Sequence, residues 1–226
     1  MGRVGAEGVT SPSGIQLPGD RSGPYRVLAL GAHPDDIEIG CAATLMRLLD
    51  AGEIATLRWV VLTGAAERAD EARASATTLA GEAPLDVSVE GFADGFLPWA
   101  GDAVKRYVET LQGFAPDVVF THRLEDAHQD HRLVSELTWQ TFRDAMIYEY
   151  EIPKYEGDLG HPNLYISVSE ALAERKMDHL QLHFPSQRGR QWFSADTFRA
   201  LLRLRGIECN SPTGLAEGFT CRKLRL

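Results

Sequence analysis

Between residues 25 and 147, a short apolar run is followed by a segment of helical spacing four times over. Few architectures accept that repeat. The first run, Arg26-Val27-Leu28-Ala29-Leu30, ends at Gly31; the others are Ile54–Leu62, Leu85–Val89 and Val118–Phe120. Runs that are apolar at nearly every position read as strands buried on both faces. After the first run, Ile39, Ala42, Ala43, Met46 and Leu49 recur at helical spacing over Ile39–Ala51, and Gly52 stops the helix. Further helices are predicted over Ala66–Leu79, over Ala103–Leu111, and from the end of the polar loop His122–Gln129 to about Ile147. Alternation of this kind gives right-handed crossovers. The expected class is therefore α/β, a Rossmann-like three-layer sandwich with a mostly parallel sheet. Past Tyr150, Pro153, Gly157, Gly160 and Pro162 mark a loop-rich C-terminal part. It is expected to hold a strand at Leu164–Val168, helices at Glu170–Leu182 and Asp196–Arg205, and a terminal edge strand over Phe219–Leu226.

Composition narrows the function classes. The 226 residues suit one sizeable domain over residues 24–226. Residues 1–23 are rich in Gly, Ser and Pro and lack an apolar core, so they read as a flexible tail and not as a secretory signal. No apolar run approaches the roughly 18 residues of a membrane span, and no membrane insertion is expected. A net charge of −9, with 32 acidic against 23 basic residues, argues against a nucleic-acid surface. The three cysteines (Cys41, Cys209 and Cys221) are odd in number and show no CxxC spacing. They read as reduced thiols of a cytoplasmic protein, with Cys41 a small buried apolar residue. A homo-oligomer is compatible with all of this.

Ligands in open α/β sheets bind beyond the carboxyl ends of the strands, and two strand ends here carry metal-type residues. The first is followed by His33-Pro34-Asp35-Asp36; the fourth leads to His128-Gln129-Asp130-His131. Four of the seven histidines (His33, His122, His128, His131) lie just past strand ends. Taken singly, each feature has an ordinary reading: a turn, a helix cap, or surface decoration. Their convergence is harder to obtain from structural needs alone. A catalytic zinc takes three protein ligands and leaves a place for water. His33 and Asp36 supply two from one turn. The residues themselves leave the third open between His131 and His128. Asp35 is free to take a proton, and a further histidine could stabilise an oxyanion or protonate a leaving amine. His122 reads as a turn residue or as pocket lining. Asp94, which follows the third strand, faces the same crevice.

The stretch Val27–Thr44, VLALGAHPDDIEIGCAAT, together with His128-Gln129-Asp130-His131, resembles the PIG-L/LmbE-like family of zinc-dependent N-acyl deacetylases, mainly N-acetylglucosaminyl deacetylases. Arg68-Ala-Asp-Glu71 and Ser186-Gln187 are similar to its minor elements. The resemblance implies one Zn2+ on His33, Asp36 and His131. It implies Asp35 as general base and His128 as the group that polarises the carbonyl and protonates the nitrogen, oriented by Asp130. It also implies Arg68 at the acyl or oxyanion end of a small N-acylated substrate; Asp94 is a candidate substrate-binding residue from its place after the third strand alone. An intrahelical salt bridge to Glu71 is the plainer reading of Arg68. The sequence departs from the family pattern at Ala42-Ala43, usually a glycine pair, and in the spacing of His183-Phe-Pro-Ser186-Gln187.

Two other classes compete with hydrolysis. A nucleotide-binding module would need GxGxxG after the first strand; instead, acidic groups stand where phosphate needs backbone amides. A non-catalytic metal or sugar binder would not need a base and acid beside the metal ligands. The expectation is hydrolysis of an N-acetyl or related amide on an amino sugar, with a non-sugar amide as the alternative.

Overall fold

A computed structural model describes residues 24–223. The tail expected over residues 1–23 lies outside the described residues. Seven strands form one sheet: β1 (Tyr25–Gly31), β2 (Ile54–Thr63), β3 (Leu85–Phe92), β4 (Val118–His122), β5 (Met146–Tyr150), β6 (Leu164–Ser167) and β7 (Ala216–Thr220). Six helices accompany them: α1 (Asp36–Asp50), α2 (Ala66–Ala80), α3 (Gly101–Thr110), α4 (Gln129–Thr141), α5 (Glu170–His183) and α6 (Ala195–Glu208). The strand order is β3-β2-β1-β4-β5-β7-β6. The first five strands pair in parallel, and β7 runs antiparallel to both β5 and β6. No helix among the described residues is long and apolar enough to cross a membrane.

The uninterrupted apolar runs are explained by two cores, one on each face. Val27, Ala29, Leu57, Trp59, Val61, Val118 and Phe120 point to one side, against α1, α2, α5 and α6. Leu28, Leu30, Val60, Leu62 and Val119 point to the other, against α3 and α4. Side chains alternate along a strand, so both sets must be apolar when both faces are covered.

Two expectations need correction. The fourth helix does not continue to Ile147. It ends at Thr141, and Met146–Tyr150 forms β5 alongside β4. Ile147, Tyr148 and Tyr150 are β-formers, and the sheet buries all three. Their apolar character suits the strand as well as it would a last helical turn. The terminal strand is also not at the edge. β7 is hydrogen-bonded on both sides, and β6 takes the edge. Ala216, Glu217 and Phe219 are all buried there.

Chain order reverses at β1, whose neighbours are β2 and β4, and each of those parallel connections crosses over a helix on a different face. The crevice at the carboxyl ends of β1 and β4 is where an α/β sheet places its ligand site. Helix α1 rises from that crevice and is held by an unusual buried pair. Glu217 accepts from the Ala43 amide (3.0 Å) and the Thr44 amide (2.8 Å), while Lys176 donates to the Ile39 carbonyl (2.6 Å) and to Glu217 (2.7 Å). At Gly40 the helix lies against the Tyr150 ring so closely that any Cβ would collide with it. The Tyr150 hydroxyl in turn donates to the Leu30 carbonyl (2.8 Å). Gly40 thus sets the distance between α1 and the sheet. Gly40→Ala should lower the unfolding free energy by about 1–3 kcal/mol through overpacking, although alanine favours a helix by about 1 kcal/mol over glycine. Urea unfolding of the variant measures this, and an unchanged or raised midpoint would show that Tyr150 yields freely.

Candidate active site

β1 delivers the chain to Ala32, which is tied on three sides. Its carbonyl accepts from the Thr63 amide (2.9 Å) and hydroxyl (2.8 Å), and its amide donates to His122 Nε2 (3.0 Å). The turn that follows places Asp35 at φ 93°, in the left-handed region. For a non-glycine residue this costs on the order of 1–3 kcal/mol and occurs where surrounding contacts over-determine the backbone. Those contacts are present. The Asp35 carbonyl accepts from the Ile39 amide (2.9 Å), and Arg68 donates to both the Pro34 carbonyl and Asp35 Oδ2. The turn then enters α1 at Asp36.

Asp36 is nearly inaccessible and gathers the site. Its Oδ2 accepts from the His33 amide (2.7 Å) and lies 3.3 Å from His33 Nδ1, 3.5 Å from His131 Nε2 and 3.1 Å from His122 Nε2. His33 Nδ1 and His131 Nε2 are 3.1 Å apart. Zinc bonds of about 2.0–2.1 Å in tetrahedral array separate neighbouring ligand atoms by roughly 3.3 Å. The triangle of His33 Nδ1, Asp36 Oδ2 and His131 Nε2, with edges of 3.1 to 3.5 Å, has that size.

Two further sets of three ligand atoms contain a histidine in place of one of these, namely His33 with His128 and His131, and Asp36 with His122 and His131. Hydrogen bonding separates them from the first triangle. A metal-bound histidine gives its other N–H to a carboxylate, carbonyl or water. His33 Nε2 meets Asp130 Oδ2 at 3.2 Å and Asp94 Oδ1 at 3.1 Å, and His131 Nδ1 meets Asp126 Oδ2 at 3.1 Å. His128 uses Nδ1 as an acceptor for the Asp130 amide (3.2 Å), so its proton sits on Nε2. His122 Nε2 already accepts from Ala32, and its Nδ1 has no partner among the described residues. His33, Asp36 and His131 could hold a divalent metal; His128 borders them as a hydrogen-bond donor. Its ring centroid is 4.9 Å from that of His33 and 4.6 Å from that of His131.

Charges follow from these contacts. Burial opposes a charged His33, but the Asp36 carboxylate and hydrogen bonds to Asp130, Asp36 and Asp94 hold its pKa well above the ordinary histidine value. Burial works to raise the Asp36 pKa, yet the imidazoles of His131, His122 and His33 hold it well below the usual carboxylate range. Burial and the neighbouring His122 bring His131 down to about 4. Asp35 moves the other way: burial pushes its carboxyl well above the usual range, and the Arg68 guanidinium only partly offsets this.

Several residues sit where the sequence alone did not put them. The Asp130 carboxylate does not orient the His128 ring. It accepts from the Gly95 amide (2.8 Å), the Leu97 amide (3.1 Å) and His33, and it reaches His128 only through its own backbone N–H. Arg68 and Glu71 do not pair along the helix; Arg68 serves the Asp35 turn, and Glu71 accepts from the Ser186 amide (2.9 Å) and hydroxyl (2.6 Å). His122 is fully buried and stacks on His131 at 3.9 Å. It is part of the interior behind the site and not a surface turn. Asp94 reaches His33 from an exposed position. Asp126 and Lys154 escaped the sequence reading. Asp126 takes the His128 amide (2.8 Å), His131 and the Lys154 ammonium (2.9 Å), which also bridges to Asp158. The Asp126 amide-accepting turn, two residues before His128, is a readable signal; its contact with His131 is not, because it depends on the loop folding back onto α4.

Known proteins show the same arrangement of elements. The family described as PIG-L: GlcNAc-PI de-N-acetylase matches residues 28–142. The "Uncharacterized deacetylase YaiS" of Escherichia coli is 30% identical over 171 residues, covering 70% of this chain and 89% of that protein. The N,N'-diacetylchitobiose deacetylase of Pyrococcus horikoshii superposes with a TM-score of 0.65 at 20% identity, over 86% of this chain and 82% of that one. The 4-carboxy-2-hydroxymuconate hydratase of Pseudomonas putida also superposes, with a TM-score of 0.69 at 16% identity, over 89% and 98%. The last two share the fold at low identity, and one of them is named for a different reaction, so shape alone does not assign chemistry. The matched segment, which contains both histidine-bearing loops, and the relative spanning most of the chain do assign descent: the protein belongs to the PIG-L family of deacetylases.

Proposed function

We propose that the protein is a zinc-dependent hydrolase that cleaves an N-acetyl or related N-acyl amide on an amino sugar or sugar conjugate, releasing a free amine and a carboxylate. The observation that carries this reading is the triangle of His33, Asp36 and His131, whose two outward histidine nitrogens both rest on carboxylates. The donor set of two imidazoles and one carboxylate suits zinc. When bound, zinc supplies a water acidified towards neutrality and a Lewis acid for the carbonyl oxygen.

The remaining work falls to the chain's own side chains. Asp35 takes the proton from the attacking water; burial raises its pKa, which makes the carboxylate a stronger base. Arg68 keeps the strained Asp35 turn in place by holding its carboxylate and the adjoining carbonyl. His128 presents an Nε2–H to the carbonyl oxygen as that atom gains charge. The departing nitrogen takes the proton that Asp35 removed from the water, because loss of the His128 proton would leave an imidazolate. Because the Asp130 amide fixes Nδ1 as an acceptor, the neutral ring always offers its donor from Nε2. Asp130 keeps His33 oriented, and Asp126 does the same for His131. The sugar part of the reading is supported by the family's description, which names a GlcNAc conjugate, and by the chitobiose deacetylase named above. The three free cysteines fit a reducing compartment, the cytoplasm.

Amine release from a panel of N-acetylated amino sugars and their conjugates, with zinc-loaded protein, tests the reaction; no release from any member would overturn the sugar reading. Asp35→Asn should keep stoichiometric zinc yet lose about 10²–10⁴-fold in kcat. Activity close to wild type would remove Asp35 as the base. Asp126→Asn should weaken zinc affinity by about 10–100-fold, read by chelator competition, and normal affinity would detach Asp126 from the metal site. Asp36, Asp130 and Asp94 hold the His33 pKa up, so zinc competes with a proton at that ring. Affinity is therefore expected to weaken steadily as pH falls, and a pH-independent dissociation constant would contradict the ligand set.

A further inference from the structure

Lys154 stands in the loop between β5 and β6, and its side chain is only 11% exposed. A lysine is seldom withdrawn from water to this degree unless it is paired. Its ammonium lies 2.9 Å from Asp126 Oδ2, 2.7 Å from Asp158 Oδ1 and 2.8 Å from Asp158 Oδ2. One cation therefore stands between two carboxylates that would otherwise repel each other. Asp126 Oδ2 is the same atom that meets His131 Nδ1 at 3.1 Å. Three side chains thus run in line from the loop to the metal triangle: Lys154, Asp126 and His131.

The same loop is clasped at further points to the segment that carries His128. Asp158 Oδ2 accepts from the Ala127 amide (2.6 Å), and the Asp158 carbonyl accepts from Arg123 (3.0 Å). The Arg123 guanidinium packs so closely on Gly160 that any Cβ there would collide with it. Between these points the Gly157 amide closes a turn on the Lys154 carbonyl (3.2 Å), with Gly157 at φ 61°. The loops that leave the neighbouring strands β4 and β5 are therefore joined by side chains, and Lys154 is the joint that bears on Asp126. Each Asp126 oxygen has a fixed duty: Oδ1 accepts the His128 amide (2.8 Å), and Oδ2 faces His131 and Lys154 together. Without the ammonium, the Asp158 carboxylate would push on Asp126 with nothing to balance it, and His131 would lose a firmly held partner.

We propose that Lys154 is a positioning residue of the metal site: it holds Asp126 against His131 and couples the loop of residues 152–160 to zinc binding. This rests on the hydrolase reading above and deepens it. Coupling between two sites is reciprocal. If the latched loop favours zinc, zinc favours the latched loop by the same factor. Chelator competition and amide hydrogen exchange are run on wild type, Lys154→Met and Lys154→Arg, with and without zinc. In folded Lys154→Met, zinc should bind about tenfold more weakly, the lower end of the range for partners of a ligating histidine. In wild type, zinc should slow exchange of the Ala127 and Gly157 amides by about the same tenfold factor, and Lys154→Met should lose that effect. Lys154→Arg keeps the charge and donors for both carboxylates, and it should recover most of the affinity and of the protection. A lysine with a structural role alone would change loop exchange equally with and without metal. Exchange in wild type that does not respond to zinc would overturn the proposal, even where Lys154→Met is too unstable to measure. Normal zinc affinity in folded Lys154→Met would also overturn it. Neither readout uses turnover. A wild type that shows the coupling but releases no amine overturns the hydrolase reading and leaves the coupling in place, and one that binds no zinc overturns the ligand set beneath both.

Discussion

One oxygen atom, Oδ2 of Asp36, is approached by three imidazoles and a backbone amide in the interior of the protein. A carboxylate taken out of water is costly unless it is paired and hydrogen-bonded. The His33 amide supplies the hydrogen bond, the imidazoles crowd the same atom, and these groups come from different parts of the chain: the His33 turn after β1, His122 at the end of β4, and His131 at the start of α4. The crossing of these segments at the switch between β2 and β4 is what the parallel topology provides. The cluster around Asp36 is thus a consequence of where the sheet reverses its strand order. The same three segments also hold one another in place.

A second set of contacts surrounds the strained turn at Asp35. A positive φ at an aspartate is retained only when its surroundings leave no alternative. Arg68 grips the turn from α2, one helical turn from Glu71, and Glu71 grips Ser186 after α5. Ser75, further along α2, lies between Glu38 on α1 and His179 on α5, 2.8 Å from His179 Nε2. Helix α2 therefore acts as a spacer with polar contacts at three levels. It connects the Asp35 turn to a segment more than a hundred residues later. The minor elements of the family pattern, Arg-x-x-Glu and Ser-Gln, are two ends of that one connection.

Much of this was legible in the residues, for a physical reason. Strands buried on both faces announce themselves as apolar runs, and the motifs at their ends follow from topology. The sequence went astray where two structures share one pattern. Phe142, Ile147, Tyr148 and Tyr150 extend the apolar content of α4 and equally suit a buried strand, and only the pairing of β5 with β4 decides between them. The position of β7 inside the sheet depends on Glu217 finding the amides of α1, a partner more than 170 residues away. Within the site, residue types and spacing named the ligand candidates and the family resemblance favoured His131 over His128; the hydrogen-bond directions at the two rings differ in a way that agrees with it. A histidine whose Nδ1 accepts an amide proton cannot also offer that nitrogen's proton to a carboxylate; local spacing carries no trace of this.

Asp130 shows most directly why residue roles read from a motif can be displaced without the motif failing. Its place beside His131 in sequence suggested service to a histidine, and it does serve one, His33, from the opposite loop. Its other bonds, to Gly95 and Leu97, bring a third strand end into the site. The fold is shared with a hydratase, so the sheet by itself sets no reaction. What is specific to this chain is which groups are brought to the Asp36 cluster from the variable turns around it. The turn after β3 contributes a carboxylate and two exposed aromatic rings through a single buried hinge point.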